Sequence, residues 1–147
     1  MLSLDAFKHY IPVRVRFNEV DMLGVCNNAV YISFFEEGRL QYLKHLGLIP
    51  PGGLFSDGSL FFMVRNEINY LGHSHYDDEL YIYNRVSYIK RSSYGFEHIV
   101  FNNTSQKIVA EGSGVIVRVD PETRKSTALS KEFFTVVQEF ESNVRII

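Results

Sequence analysis

One long stretch, residues 27–47, has the amino-acid pattern of a helix that the rest of the chain must enclose. Asn27 or Asn28 can cap the open N–H groups at its start, and Gly47 suits the left-handed residue that ends many helices. Apolar side chains recur at helical spacing and cover more than one narrow face. They are Val30, Tyr31, Phe34, Phe35, Gly38, Leu40, Tyr42, Leu43 and Leu46. At about 1.5 Å per residue this helix would be roughly 28 Å long, so it is predicted to be the central element of a small domain.

Stretches with the pattern of β-strands stand on both sides of this helix in the sequence. Residues 9–20 alternate apolar and polar side chains, as expected for a strand with one buried face. Four further β-rich stretches follow the helix, at residues 60–71, 80–89, 96–101 and 107–119. Residues 130–141 then have the spacing of a short helix behind a serine cap. This order predicts an α+β fold in which an antiparallel sheet curls around the long helix.

Composition limits the classes of protein to which such a chain can belong. It has 147 residues, of which 46% are hydrophobic, and this fits one domain over residues 1–147. A formal net charge of −2 argues against a nucleic-acid-binding protein. The single cysteine, Cys26, cannot form an intrachain disulfide, and residues 1–5 lack the pattern of a signal peptide. No apolar run is long enough to span a membrane, so a cytoplasmic protein is predicted.

A series of short motifs gives the chain its most specific features. They are Asp21, Gly24, the pair Asn27 and Asn28, Tyr31, Glu36, Arg39, and the segments 62–70, 77–80, 119–121 and 128–129. In this order they resemble the 4-hydroxybenzoyl-CoA thioesterase-like family of hot-dog-fold acyl-CoA thioesterases, over residues 13–134. The resemblance implies a hot-dog fold, with a long central helix, a five- to six-stranded antiparallel sheet and a short C-terminal helix. It also implies hydrolysis of a CoA or acyl-carrier-protein thioester.

Two groups of the motif match the needs of thioester hydrolysis. The reaction needs a group that activates water or attacks the carbonyl carbon, and a donor for the charge that develops on the carbonyl oxygen. Asp21 is the candidate for the first role, either as general base or as nucleophile. By the resemblance, the backbone N–H of Asn28 fills the second role, at the positive end of the helix. Glu36 is either a third residue of the site or the partner of Arg39 in an ordinary ion pair.

The chain departs from the family pattern at three places near this motif. Many relatives carry His-Val where this chain has Val25 and Cys26, and one subgroup has His at the position of Asn28. Roles assigned to those histidines are therefore absent here. The main-chain donor of residue 28 does not depend on the side chain and is retained. Gly38 stands where Ala is usual.

The resemblance also predicts where the substrate is bound. Tyr31, Phe62 and Val64 lie in the matching segments and are predicted to contact it. A turn with the sequence Lys90, Arg91 and Ser92 is predicted to bind the nucleotide phosphates of CoA, although such turns are also basic for solubility alone.

The resemblance carries predictions about cofactors and partners as well. No cofactor is predicted, because CoA is part of the substrate, and no metal, because His73 and His75 have no neighbouring cysteine. Hot-dog subunits usually pair, so a homodimer or a homotetramer is predicted. A non-catalytic acyl-CoA-binding protein of the same fold is the alternative function.

Overall fold

The computed structural model describes residues 2–147, and within them the chain forms six strands and two α-helices. In chain order they are β1 (His9–Arg14), α1 (Val30–His45), β2 (Leu60–Tyr70), β3 (Glu79–Ile89), β4 (Ser93–Asn102), β5 (Lys107–Val119), α2 (Lys131–Phe140) and β6 (Arg145–Ile146). The strands form one sheet in the order β1-β3-β4-β5-β2, and β6 pairs with β3 in parallel. The predicted α+β class, long helix and short C-terminal helix are confirmed.

The first strand is shorter than the sequence predicts. β1 ends at Arg14, and residues Phe17–Glu19 form a 3-10 turn instead of continuing the strand. The carboxylate of Glu19 closes this turn by accepting the main-chain N–H of Arg16 at 2.8 Å. Apolar and polar side chains keep alternating beyond Arg14, so the pattern alone does not reveal the turn.

The long helix begins later than predicted, at Val30 and not at Asn27. The side-chain oxygen of Asn27 accepts the N–H of Ala29 at 3.0 Å, and its main-chain oxygen accepts the N–H of Val30 at 2.9 Å. These bonds make a turn ahead of α1, so Asn27 acts before the first helical residue. The predicted end is confirmed, since His45 is the last helical residue and Gly47 has a φ of 71°.

Backbone contacts divide the chain into two compact units, and the first holds the apolar core of α1. This unit, called unit 1 below, comprises residues 2–42, 68–85 and 98–112. Three buried aromatic side chains of α1 pack there against buried residues of the strands. The cluster contains Tyr31, Phe34, Phe35, Leu80, Ile82, Val100, Val109 and Ala110. The broad apolar face of residues 27–47 is thus enclosed, as its pattern predicts.

The second unit, called unit 2, comprises residues 43–67, 86–97 and 113–147. The side-chain oxygen of Ser130 accepts the N–H of Phe133 at 3.1 Å and caps α2, as the sequence predicts. Phe133 and Val137 form the buried face of α2, and the ring of Phe133 lies 4.6 Å from that of Tyr94. The single domain over residues 1–147 stays a prediction from the sequence. In the described chain no helix has the length and apolar character needed to cross a membrane.

Candidate active site

Asp21 lies at the start of a tight loop in unit 1. Val20 and Cys26 form an antiparallel bridge, and the N–H of Asp21 donates to the oxygen of Val25 at 2.9 Å. One carboxylate oxygen of Asp21, Oδ1, accepts the N–H of Leu23 at 2.8 Å. The other, Oδ2, makes no hydrogen bond with residues 2–147, and the side chain is exposed. The loop therefore holds the carboxylate in place and leaves one oxygen open to solvent.

The turn ahead of α1 leaves one main-chain donor without an acceptor. The N–H of Asn27 donates to the oxygen of Glu19 at 2.8 Å, and the N–H groups of Ala29 and Val30 both donate to Asn27. The N–H of Asn28, which lies between them, has no acceptor in the part of the chain that the structure describes. Asn28 is exposed, so this N–H is open to solvent at the positive end of the helix.

The direction of the Asn28 N–H follows from the peptide plane that contains it. This trans peptide joins Asn27 to Asn28, and its carbonyl oxygen is bound by the N–H of Val30 in the first turn of α1. In a planar trans peptide the N–H points opposite to the C=O. The Asn28 N–H therefore points away from the helix, as a donor to a bound anion or carbonyl oxygen must.

Tyr31, predicted to contact the substrate, lies in the core of unit 1 and is only 2% exposed. Its hydroxyl donates to the side-chain oxygen of Ser74 at 3.2 Å. Burial raises the pKa of Tyr31 to about 12, so the phenol is neutral at physiological pH. Ser74 in turn accepts the N–H of Cys26 at its main-chain oxygen, at 2.7 Å. Tyr31 is thus linked through Ser74 to Cys26, and it stabilises the segment before α1 from within the core.

A buried polar cluster that was not predicted lies behind this segment. The side-chain nitrogen of Asn102 donates to the hydroxyl oxygen of Ser74 at 3.3 Å and to the carboxylate of Asp78 at 2.8 Å. Ser74 and Asn102 are fully buried. The sequence does not predict this contact, because Ser74 and Asn102 are 28 residues apart and hydrophobic periodicity indicates only local structure.

Cys26 is a buried residue of the core and not an exposed thiol. Burial raises its pKa to about 11, and the nearby carboxylates of Glu19 and Asp21 act in the same direction. The thiol is therefore protonated at physiological pH and is a poor nucleophile.

Glu36 lies on the exposed side of α1. Its carboxylate makes no hydrogen bond or ion pair with residues 2–147, so the ordinary ion pair with Arg39 is not formed. The place of Glu36 in the reaction stays a prediction.

The remaining predicted residues belong to unit 2. Phe62 and Val64 are exposed on β2. In the turn between β3 and β4 the N–H of Lys90 donates to the oxygen of Ser93 at 2.7 Å, and the oxygen of Arg91 accepts the N–H of Leu129 at 2.8 Å. Ser92 accepts the N–H of Arg118 at 2.8 Å. The turn is thus held by its main chain, while the side chains of Lys90 and Arg91 are exposed.

None of the predicted site residues lines either of two surface cavities. One, of about 520 Å³, is in unit 2 and is lined by Tyr94, Arg118 and Phe133 among others. The other, of about 630 Å³, is in unit 1, beside Arg16 and Glu37. Asp21 and Asn28 are both exposed, and neither residue lines either cavity.

The long helix, the six-stranded sheet and the short C-terminal helix together define a hot-dog fold. The chain belongs to the thioesterase-like superfamily, whose family model matches residues 15–138. This membership confirms the predicted family, the hot-dog fold and, at the level of enzyme class, a thioester hydrolase.

Individual relatives agree with this family. The acyl-CoA thioester hydrolase YbgC of Escherichia coli O6:H1 is 28% identical over 130 residues, which cover 88% of this chain and 93% of that protein. The chloroplastic acyl-acyl carrier protein thioesterase ATL3 of Arabidopsis thaliana is 27% identical over 116 residues, 79% of this chain but 60% of that protein. A thioesterase of Thermus thermophilus, solved with coenzyme A and Zn, is 28% identical with a TM-score of 0.79, and the match covers 95% of this chain and 98% of that one.

The Thermus structure also contains zinc. Among residues 2–147 no group of three or more His, Cys, Asp or Glu side chains is placed to hold a metal ion. No step of the reaction is therefore assigned to a metal.

Proposed function

We propose that the chain hydrolyses an acyl-CoA thioester at the surface formed by Asp21 and the Asn28 N–H. The observation that carries this proposal is the Asn28 N–H, which is open while the N–H groups of its neighbours are bonded. The similarity to the acyl-CoA thioester hydrolase YbgC supports the substrate class, and the coenzyme A of the Thermus structure supports CoA as the carrier. The name of the Arabidopsis relative makes an acyl carrier protein the second candidate for the carrier.

In the proposed reaction the Asn28 N–H donates to the carbonyl oxygen of the thioester. Negative charge grows on that oxygen as the tetrahedral intermediate forms, and the positive end of α1 stabilises it further. The donor is fixed before the substrate arrives, because the Asn27 carbonyl of the same peptide is bound to α1. Loss of one such donor costs about 2.7–4 kcal/mol in comparable enzymes.

Asp21 activates the attack through its open oxygen, Oδ2, by one of two routes. As a general base it takes a proton from water, whose oxygen bonds to the carbonyl carbon. The C–S bond then breaks, and the thiolate leaves as CoA and takes up the proton. As a nucleophile Asp21 bonds to the carbonyl carbon itself, CoA leaves, and water hydrolyses the mixed anhydride. Single turnover in ¹⁸O-labelled water tests the second route, since ¹⁸O enters the Asp21 carboxylate of the recovered enzyme only when water attacks the Asp21 carbonyl of a mixed anhydride. Rapid quenching and mass spectrometry of the enzyme test for the anhydride when water attacks the acyl carbonyl instead, because the anhydride adds the mass of the acyl group.

The remaining site residues complete the proposal. The exposed cations of Lys90 and Arg91, with Ser92 beside them, bind the phosphates of CoA. The exposed side chains of Phe62 and Val64 contact the acyl or pantetheine part, and Glu36 lines the site from the exposed side of α1. Tyr31 is not assigned a substrate contact in this proposal, because its side chain is buried. In this proposal no cofactor takes part, because CoA belongs to the substrate. The proposed location of the enzyme is the cytoplasm.

A second copy of the chain is proposed to close the open surface. The apolar side chains of Met22 and Leu23, next to Asp21, are almost fully exposed. β2 stands at one end of the strand order and carries the exposed side chains of Phe62 and Val64. An unpaired edge with apolar side chains is typical of strand pairing between subunits. A homodimer or homotetramer is expected in sedimentation, and a fully active monomer would contradict it.

A hydrolysis screen tests the proposed activity. Purified protein is assayed with short, long and aromatic CoA thioesters, and release of free thiol is followed. Turnover of at least one class is expected, with Asp21→Asn as the inactive reference. Tight binding of CoA esters without hydrolysis would instead favour the non-catalytic binding protein.

A further inference from the structure

Tyr70, the last residue of β2, contacts Asn28, whose main-chain N–H is the proposed oxyanion donor. The contact is made to the main-chain oxygen of the same residue. The Tyr70 hydroxyl donates to this oxygen at 2.8 Å. Within residues 2–147 this is the one side-chain hydrogen bond to the main chain of Asn28. We infer that Tyr70 is a positioning residue that sets the direction of the Asn28 N–H, an inference that rests on the function proposed above.

The bond acts on one of the two peptide planes that meet at the Asn28 Cα. The plane before Asn28 is held by its carbonyl, which the N–H of Val30 binds. The plane after Asn28 is held at its nitrogen by the side chain of Asn27 and at its oxygen by Tyr70. With both planes held, φ and ψ of Asn28 are fixed, and the direction of its N–H is fixed with them.

Tyr70 can serve as a rigid anchor because the end of β2 is itself fixed. The two residues that follow it, Leu71 and Gly72, both donate their N–H groups to the oxygen of Val109 in β5, at 2.9 and 3.1 Å. The ring of Tyr70 also stands edge to face against the buried ring of Tyr31, with 5.6 Å between the centroids. The hydroxyl is thus carried by a held strand end and a packed ring.

Without the hydroxyl the Asn28 oxygen keeps only a long contact within the chain. The N–H of Tyr31 lies 3.4 Å from it, which is beyond the usual range for a strong N–H···O bond. Tyr70 is 42% exposed, so water can take the place of the hydroxyl without holding the peptide to the sheet. The Asn27–Asn28 peptide then keeps its bond to Val30, but the peptide after Asn28 loses its anchor to the strand, so φ and ψ of Asn28 are less restricted and the N–H is held less firmly in its direction.

Tyr70 is not assigned the role of oxyanion donor itself. A phenol has a single proton to donate, and that of Tyr70 is used on the Asn28 oxygen. Burial raises the pKa of Tyr70 above its ordinary value, so the hydroxyl keeps this proton at physiological pH.

Tyr70→Phe removes the hydroxyl and keeps the ring. We expect kcat to fall about tenfold with little change in KM or melting temperature, a smaller loss than the roughly 10²–10³-fold for removing a donor altogether. Tyr10→Phe is the matched control, since Tyr10 is also exposed on a strand and packs on the rings of Tyr81 and Tyr83, and its hydroxyl makes no hydrogen bond in the described residues. It should leave both constants unchanged.

A second measurement reads the direction of the donor without turnover. The C=O stretch of a ¹³C-labelled thioester bound to Asp21→Asn is recorded by infrared difference spectroscopy. A bound carbonyl that receives a hydrogen bond absorbs at lower frequency than the free substrate. In the double variant Asp21→Asn, Tyr70→Phe we expect a smaller shift and a broader band, because the donor is present but held less firmly, while the ester stays bound.

The outcomes separate this inference from the proposed function. A shift that stays the same in the double variant, with an unchanged kcat for Tyr70→Phe, overturns the role of Tyr70 and leaves the function standing. No hydrolysis by the wild type, or no shift in Asp21→Asn alone, overturns the proposed function itself. If Tyr70→Phe does not fold, O-methyltyrosine at position 70 is used, because it keeps the ring and the oxygen but has no proton to donate; an unchanged carbonyl shift would then overturn the inference.

Discussion

The side chain of Asn84 occupies the space that a β-carbon on Gly38 would need. Asn84 is fully buried on β3, and its side chain contacts two histidines, His9 at 3.1 Å and His98 at 2.8 Å. The family pattern usually has Ala at position 38. In this chain the buried side-chain amide of Asn84 leaves no room for the methyl group of Ala there, and glycine fits. This contact explains a departure that the sequence alone left without a reason.

Gly38→Ala is therefore expected to destabilise the protein, although Ala is the better helix former by about 1 kcal/mol. The added methyl group collides with a side chain that two histidines hold, and overpacking of this kind costs about 1–3 kcal/mol. Urea unfolding followed by circular dichroism measures the change. In an Asn84→Ala background the same substitution should cost less, and an equal cost in both backgrounds would show that the two residues are not coupled.

His98 makes the stability of unit 1 depend on pH. Burial lowers its pKa well below the ordinary value, and the positive charge of Arg39 acts in the same direction. The folded state thus keeps His98 neutral, while the unfolded chain takes up a proton below its pKa of about 6.5. The stabilisation is complete above that pH and is lost as the pH falls below it, with a slope of up to about 1.4 kcal/mol per pH unit.

The free energy of unfolding, measured between about pH 8 and pH 5, checks this sign. His98→Gln should flatten the fall below pH 6.5 that the wild type shows. His75→Gln is the control, because His75 is exposed and its contact with Asp78, at 3.9 Å, is long. An equal fall in the wild type and His98→Gln would assign the pH dependence to other groups.

Local patterns of apolar and polar residues predicted the elements of this fold, and individual hydrogen bonds explain what these patterns missed. The apolar stripe of α1 and the β-rich runs depend on near neighbours, so their presence and approximate length could be read from the chain. The early end of β1 and the late start of α1 depend on single side-chain bonds of Glu19 and Asn27. The bond of Tyr70 to Asn28 joins residues 42 positions apart, and no periodicity reports it.

The candidate site divides in the same way. Asp21 and Asn28 were found because a motif of adjacent residues carries them. The open state of the Asn28 N–H depends on where three neighbouring bonds go, and this is a property of the folded turn. The burial of Tyr31 against Ser74 likewise could not be predicted, because an aromatic residue in a helix fits either a core or a binding surface.

Asp21→Asn is expected to abolish most turnover without disturbing the loop. The amide oxygen of Asn can still accept the N–H of Leu23, so the loop keeps its closing bond. It cannot act as a base or as an efficient nucleophile, and kcat should fall by about 10²–10⁴-fold while CoA-ester binding persists. Turnover is measured by the release of free thiol, and binding of the CoA ester is measured by calorimetry.

Asp57→Asn is the matched control for that variant. Asp57 is exposed and closes a turn in the same way, by accepting the N–H of Ser59 at 2.9 Å. It should keep full turnover. A similar loss in both variants, or unchanged turnover in Asp21→Asn, would contradict the catalytic role of Asp21.

The exposed cations of the β3–β4 turn give the last test, which separates phosphate binding from a basic turn that serves solubility. Neither Lys90 nor Arg91 forms an ion pair with residues 2–147, and both side chains are exposed. The ammonium group of Lys90 lies 5.8 Å from the centre of the Tyr88 ring, a contact that leaves its N–H groups able to bind a phosphate. Lys90→Gln with Arg91→Gln should raise KM for acyl-CoA by about tenfold, most strongly at low salt. The same variant should leave KM unchanged for an acyl-pantetheine, which lacks the nucleotide phosphates. Equal effects on both substrates, or none on either, would assign the charges to solubility. Lys125→Gln is the control, because it removes one exposed cation elsewhere on the protein.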